Sequence, residues 1–439
     1  MNRFLFFYLL ISLHNLRLDF DEIVFAGSVL VEMTKYIADW KRPAVPERIR
    51  QGNSRCCLPL LASIGPIFHG LPELKDIEDL KPEISHNFIQ DCISSAGNKV
   101  DTFKKKLYDV AIEMKSYYSE ETRKRFADAQ FYKMLLSDVC FVVVVIHGIV
   151  SKNERKLPLS SSVLRMCLRD FFLLENQIPF LLVQDLVKLR FGRRGTKIIH
   201  QLLSAVIHHP LTSNHMDEQP LHLLDLLRHT YIGIGQSPAQ GSDSDCPNKF
   251  FSAKQLHDRG VRFWEAVSRK IGYSIVQMEF DANFGNLYMP PLLIDESFES
   301  IFLNIAAYEA SRCDLRKSEV TTYLCLLQHL ARDPESVGVL RNNVIRTKED
   351  NKSIVKMFQR MCENLQPNFQ PYDRLLSELQ FFPSGFIAST ICWSRKPSTT
   401  HLVSRFFFTS AVLGTIIALA NILSFLVNSN KVMFIDKLL

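Results

Sequence analysis

Residues 169–183 read Arg-Asp-Phe-Phe-Leu-Leu-Glu-Asn-Gln-Ile-Pro-Phe-Leu-Leu-Val, which sets Glu175, Asn176 and Gln177 inside an otherwise apolar run. Three polar side chains flanked by large apolar ones are buried, and a buried polar group without a partner costs roughly 1–3 kcal/mol. A carboxylate beside two amides could do acid–base work. No nucleophile or metal-ligand pattern stands next to it, so the spacing points instead to a hydrogen-bonded structural knot. Pro179 cannot continue a helix ladder and pushes Ile178 toward an extended backbone. The stretch therefore predicts a short helix, a break at Ile178 and a new helix with Pro179 at its first position. Glu175 then lies just ahead of a helix N-terminus, where a carboxylate is favoured and can accept from orphaned backbone donors.

Other residues with chemical potential are scattered. His69 follows the turn signal Gly65-Pro66 in the Ser63-Ile-Gly-Pro-Ile-Phe-His-Gly stretch, where a lone histidine reads as a hydrogen-bonded turn residue. His208, His209, His215 and His222 lack paired histidines on one helical turn supported by a carboxylate, and Pro210 interrupts them, so a metal site is not expected. Gly235-Gln-Ser-Pro-Ala239 is one glycine short of a nucleophile elbow. The ten cysteines show no Cys-x-x-Cys spacing, which argues against structural zinc and favours reduced, core-filling thiols. No glycine-rich phosphate loop is present, and no cofactor is expected. An enzyme would need Glu175, His69 and Glu309 brought together by folding.

The elements that must position these groups are mostly helical. Amphipathic spacing predicts helices over 73–90, 100–116 and 119–136, then 164–174, 180–191, 197–208 and 221–230. Residues 252–269, 297–311, 321–331, 334–342 and 353–364 follow the same pattern, with Ser297 and Ser300 as capping residues for one of them. The β-prone run Phe141-Val-Val-Val-Val-Ile146 fits a strand or a buried helix equally. Residues 274–280 and 287–294, around Asn283–Asn286 and Pro290-Pro291, predict a small hairpin. Residues 46–50 read as irregular, and 233–249 as a flexible loop. The expected class is a single large, mostly α domain over 46–394 with a small β-hairpin, followed by one C-terminal transmembrane helix.

That last helix is the stretch from Phe406 to Val427, FFFTSAVLGTIIALANILSFLV, which is free of charge and long enough to cross roughly 30 Å of hydrocarbon. A basic juxtamembrane linker, 395–405, precedes it and a short tail, 428–439, follows. The expected location is a single-pass membrane protein, with the plasma membrane favoured. Segment 1–45 opens with the apolar residues of a secretory signal but lacks a small-x-small cleavage site, and an uncleaved apolar segment fits as well. The flanking charges favour a cytoplasmic body, whereas a functional signal at 1–13 would reverse it. Asn351-Lys-Ser353 is a glycosylation sequon that would be used only on the lumenal or extracellular side. The net charge of +6 is concentrated at the C-terminal end. Before residue 395 the chain is close to neutral, so no nucleic-acid partner is expected.

Four blocks together resemble the plant DUF247 family, also called UPF0481. They are Ser63-Ile-Gly65-Pro66 with His69-Gly70, Asp170 through Leu-Leu-Glu175-Asn176-Gln177-Ile-Pro179-Phe, Gln255-Leu-His-Asp-Arg-Gly260-Val-Arg-Phe, and Met289-Pro290-Pro291-Leu with Asn304-Ile-Ala-Ala-Tyr308-Glu309. The resemblance covers position 46 to the C-terminus. This chain departs from the family pattern at Ile67, at Ala310 and within 142–145. What the resemblance implies is a membrane-anchored recognition protein without catalytic activity. Some grass members are tied to self-incompatibility loci as pollen-side determinants that meet a small secreted partner. The alternatives are a cytosol-facing, tail-anchored scaffold or a hydrolase-like enzyme.

Overall fold

The computed structural model describes residues 44–151, 159–211, 219–233, 250–266, 273–312, 318–382 and 412–421. The fold is mostly helical with a small amount of sheet. Its first half is α1 (Glu47–Arg50), α2 (Lys75–Ala96), α3 (Lys99–Ser116), α4 (Glu120–Lys124), α5 (Asp128–Ser151), α6 (Ser161–Asp170), α7 (Phe180–Phe191), α8 (Gly195–Ile207) and α9 (Leu223–Ile232). Helix α5 is the axis of this half, with α2, α3, α6, α7 and α8 all packed around it. That crowding decides the fate of the run Phe141–Ile146. A β-prone sequence enclosed by helices has no strand to pair with, and every residue of the run except Val144 is buried in a continuous helix. Helix α5 is long and apolar enough to cross a membrane, yet it is a largely buried core helix here.

The second half comprises α10 (Ala253–Asp258), β1 (Arg262–Glu265), β2 (Glu279–Asp281), β3 (Asn286–Met289), β4 (Leu292–Ile294), α11 (Phe298–Ser311), α12 (Glu319–Leu330), α13 (Pro334–Arg341), β5 (Ile345–Thr347), α14 (Asn351–Cys362) and α15 (Asp373–Phe381). The expected hairpin is β2–β3, antiparallel with Phe280 opposite Leu287. It is extended by β1, which runs parallel to β3 with Phe263 opposite Leu287. Beyond Pro290-Pro291 the chain leaves that sheet, and β4 pairs in parallel with β5. One hydrophobic core runs through both halves.

Several local expectations are corrected. Of the helix expected over 252–269, the described residues 252–266 hold only α10, closed by a Ser252/Gln255 capping box at its start. Gly260, at φ +97°, turns the chain into β1, a conformation that side chains other than glycine resist. Pro179 is the residue before α7 rather than its first helical residue. Ser297 does not cap α11, because Asp295 accepts from the Ser297 and Phe298 amides instead. Residues 47–50, read as irregular, form α1. Segment 1–43, the loop 234–249, the linker 395–405 and most of the apolar stretch 406–427 lie outside the described residues. Within that stretch Val412–Asn421 is an apolar helix with Leu413, Ile416, Ile417 and Leu419 exposed.

Candidate functional site

Residues 58–70 run through the first half with no helix or strand of their own. Backbone donors and acceptors in such a segment need partners from elsewhere, and here buried side chains supply them. The Asp170 carboxylate, at the end of α6, accepts from Leu60 N (2.9 Å), Leu61 N (2.7 Å) and Ala62 N (3.0 Å). Arg169 donates to Asp170 at 2.8 Å and to the carbonyls of Leu58 and Arg55, both at 3.0 Å. Burial pushes the Asp170 carboxyl up, against the pull of the three amides and Arg169.

Asn176 continues the clamp. Its Oδ1 accepts from Ile64 N at 2.6 Å, and its Nδ2 donates to the carbonyls of Ala62 and Asp170, both at 2.9 Å. Gln177 closes its own turn, donating to the carbonyls of Phe171 (2.8 Å) and Leu173 (2.7 Å). Glu175 does not cap α7. It accepts from Val45 N at 3.1 Å and from Arg50 at 2.7 Å, which fastens the start of the domain to the knot. Gly65 has φ +80°, and a Cβ there would stand 2.9 Å from the Gln177 carbonyl oxygen, so two motif blocks touch at a point only glycine fits.

A buried charge cluster holds the other flank. Lys81, on α2, donates to Ser63 O at 2.5 Å and to Asp138 of α5 at 2.7 Å, and also pairs with Glu78. Asp138 in turn accepts from Gly65 N at 2.8 Å. The Ser63 hydroxyl donates to Glu78 at 2.5 Å, and His69 Nδ1 lies 3.0 Å from the other Glu78 oxygen. Arg125 spans the turn by donating to the carbonyls of Pro66 (3.3 Å) and His69 (2.6 Å). Burial alone would raise Glu78, but the His69 contact and the Lys81 ammonium outweigh it and lower the carboxyl to about 2. Burial also opposes the Lys81 charge, and Asp138 and Glu78 together hold the ammonium above its usual range.

Glu309 belongs to a separate cluster. It accepts from Arg228 at 2.9 Å, from Val320 N at 3.1 Å and from both the amide and hydroxyl of Thr321, at 2.8 and 2.7 Å, so it caps α12. Burial raises its carboxyl, opposed first by Arg228. Tyr308 accepts from Arg312 at 2.8 Å and meets the His222 ring edge-on at 4.8 Å. Asn304, one turn earlier on α11, joins the halves. It donates to Cys56 O and accepts from Leu174 N, each at 2.8 Å. Pro290 and Pro291 separate β3 from β4, and Pro291 O accepts from Tyr273 at 3.2 Å.

Folding thus gathers Ser63, Gly65, Pro66, His69, Glu175, Asn176, Gln177 and Pro179 around one segment, while Tyr308, Glu309, Gly260, Pro290 and Pro291 stand elsewhere. Glu175, His69 and Glu309 bond to different partners. His208 lies 3.7 Å from Asp295, His209 packs on Tyr273 and His222 caps α9 through Nδ1, and His215 lies outside the described residues. Among the described residues no group of three or more His, Cys, Asp or Glu side chains could hold a metal ion, and the described cysteines are free thiols. A small cavity of about 20 Å³ lies against Phe250, Leu326 and Leu376, away from the clamp. Lys81, Asp138 and Arg169 carry much of the geometry, and sequence reasoning passed over them. The signal was there: each is a charge on the apolar face of its helix.

The architecture defines a helical scaffold built around a pinned irregular segment. A family model described as a plant protein of unknown function, DUF247, matches residues 43–425. The chain belongs to this family. It is 27% identical over 332 residues to the UPF0481 protein At3g47200 of Arabidopsis thaliana, covering 68% of this chain and 67% of that protein. The putative UPF0481 protein At3g02645 of the same plant is 29% identical over 118 residues, 26% of this chain and 21% of that protein. No solved structure matches.

Proposed function

We propose that this protein is a membrane-anchored recognition protein that acts by binding another protein and not by catalysis. One observation carries the reading: the polar side chains of the family blocks are spent on structure, Asp170 and Asn176 on the backbone of 60–64, Glu175 on the start of the domain and Glu309 on the first turn of α12. Of the two hydroxyls among them, Ser63 is fully buried and donates to Glu78, and Tyr308 is buried and accepts from Arg312. A scaffold fixed in this way leaves recognition to its surface loops, which tolerate change. The charge-free stretch 406–427 would tie the body to a bilayer, and the large apolar side chains exposed along Val412–Asn421 support that role. By family resemblance, the partner would be a small secreted protein of the self-incompatibility type.

The test is membrane extraction of the full chain expressed in plant cells. The wild type should stay with membranes in alkaline carbonate and be released by detergent, whereas I416R/I417R should move to the soluble fraction. A wild-type chain washed free by carbonate overturns the anchor.

A further inference from the structure

Between Asp185 and Asp217 the chain contains no acidic residue, yet Lys188, Arg190, Arg193, Arg194 and Lys197 fall within it. The structure gathers these five cations at the corner where α7 passes into α8. The corner has a fixed shape. Gly192 takes φ +57°, and a Cβ on Gly195 would meet Val187 Cγ1 at 2.8 Å, so the Gly-Arg-Arg-Gly turn is pressed against α7. Arg190 is held at 3.3 Å from Asp91 and stacks over Phe191. Asp185, the nearest carboxylate before the corner in sequence, is taken by Lys106 at 2.5 Å. Lys188, Arg193, Arg194 and Lys197 are exposed and make no ion pair among the described residues. The first turn of α8 carries no acidic residue either.

Four unpaired cations repel one another, and the positive end of the α8 dipole adds to their field. A body otherwise close to neutral gains nothing in solubility from such a concentration. Nor does the composition of the corner suit a protein or single-stranded nucleic-acid partner. Its exposed residues are Lys188, Gly192, Arg193, Arg194, Thr196 and Lys197, without the aromatic or apolar anchors that those interfaces use. A bilayer of anionic phospholipids needs only charge, and each cation near its surface contributes about 1 kcal/mol. The 23 residues of 383–405 span at most about 80 Å, more than the width of a body this size.

We propose that the 188–197 corner docks on anionic phospholipid headgroups and lays the body against the bilayer that anchors it. This deepens the anchoring reading above and places the body on a leaflet rich in acidic lipid. The test mixes the full chain, purified in detergent and then diluted out of it, with vesicles of phosphatidylcholine alone or with added phosphatidylserine. Flotation is read first, then hydrogen exchange across 188–200, with R193E/R194E/K197E as the variant and circular dichroism as its folding control. The expected result is flotation with both vesicles, and exchange slowed about tenfold or more on phosphatidylserine only. That protection should be lost in about 1 M salt, where the Debye length is about 3 Å, and lost in the variant. Flotation with both but equal exchange overturns the corner and keeps the anchor. Flotation with phosphatidylserine alone keeps the corner and overturns the anchor. Flotation with neither overturns both, and capture by an acidic protein or nucleic acid in place of phosphatidylserine overturns the corner.

Discussion

Replacing Asp170 with alanine should unfold the protein more readily than any other single change in the knot. The carboxylate serves three amides and the Arg169 guanidinium. The Ala62 amide is fully buried and would be left without a partner, at about 1–3 kcal/mol. Leu60 is 48% exposed, so water recovers most of what its amide loses, and Leu61 is intermediate. Arg169 is mostly buried and loses its charge partner, which adds about 1.5–3 kcal/mol. These terms share one carboxylate and are not additive, so the expected loss is about 4 kcal/mol. With a urea m-value of about 3 kcal/mol/M for a body of this size, the midpoint falls by about 1.3 M. D170N should recover part of the loss, because Oδ2 alone accepts from all three amides and one amide oxygen can take its place, while the new NH2 group faces the Arg169 guanidinium. Urea titration of the full chain in detergent, followed by far-UV circular dichroism, measures the shift, and hydrogen exchange at 60–62 localises it. A midpoint lowered by less than about 0.3 M, with those amides still protected, would refute the clamp.

Acid should weaken the fold in two steps. Burial holds His222 at about 4, below its usual 6.5, so its contribution is present above pH 6.5 and is lost as pH falls toward 4, about 3 kcal/mol in all. Glu78, lowered from 4.5 to about 2, is lost between those values. H222N keeps the helix cap and should remove the first step from a stability-versus-pH curve, and E78Q the second; unchanged curves contradict the assignments. G65A combines a strained φ with the close approach to Gln177 O and should cost about 2–4 kcal/mol by urea titration, whereas a cost near zero would mean that the two blocks do not touch as described. Asn351 Nδ2 donates to Pro334 O at 2.9 Å and a Cβ on Gly338 would lie 3.5 Å from it. A glycan on that nitrogen competes with α13, so the sequon should stay largely unmodified even when the chain is forced into the secretory route. Full endoglycosidase-sensitive modification with an unaltered melting point would show otherwise.

The polar triplet announced its burial because three hydrogen-bonding side chains stood among phenylalanines and leucines. Its distant partners did not announce themselves, since Ala62 and Ile64, which bond Asn176, and Val45, which bonds Glu175, offer backbone atoms more than a hundred residues away. The start of α7 was legible to within one position, because proline forbids a helix interior but fits both the cap and the first turn, whereas the helix expected to run to Leu174 stops at Asp170, whose carboxylate turns to the 60–62 amides. Helix α5 was ambiguous for a physical reason: Phe141–Ile146 is apolar on every side, and only its helical neighbours exclude a strand. The strand β1 was missed because Arg262-Phe-Trp-Glu follows a capped helical turn, and the termination rests on Gly260 alone.

Asn304 and Ser300 both donate to the carbonyl of Cys56, nearly 250 residues earlier in the chain. During vectorial synthesis at roughly 5–20 residues per second, that carbonyl leaves the ribosome about 12–50 seconds before its donors exist. The clamp on 58–70 has all its side chains once Asn176 is made, so the tie at Cys56 is the one that waits for the second half of the chain.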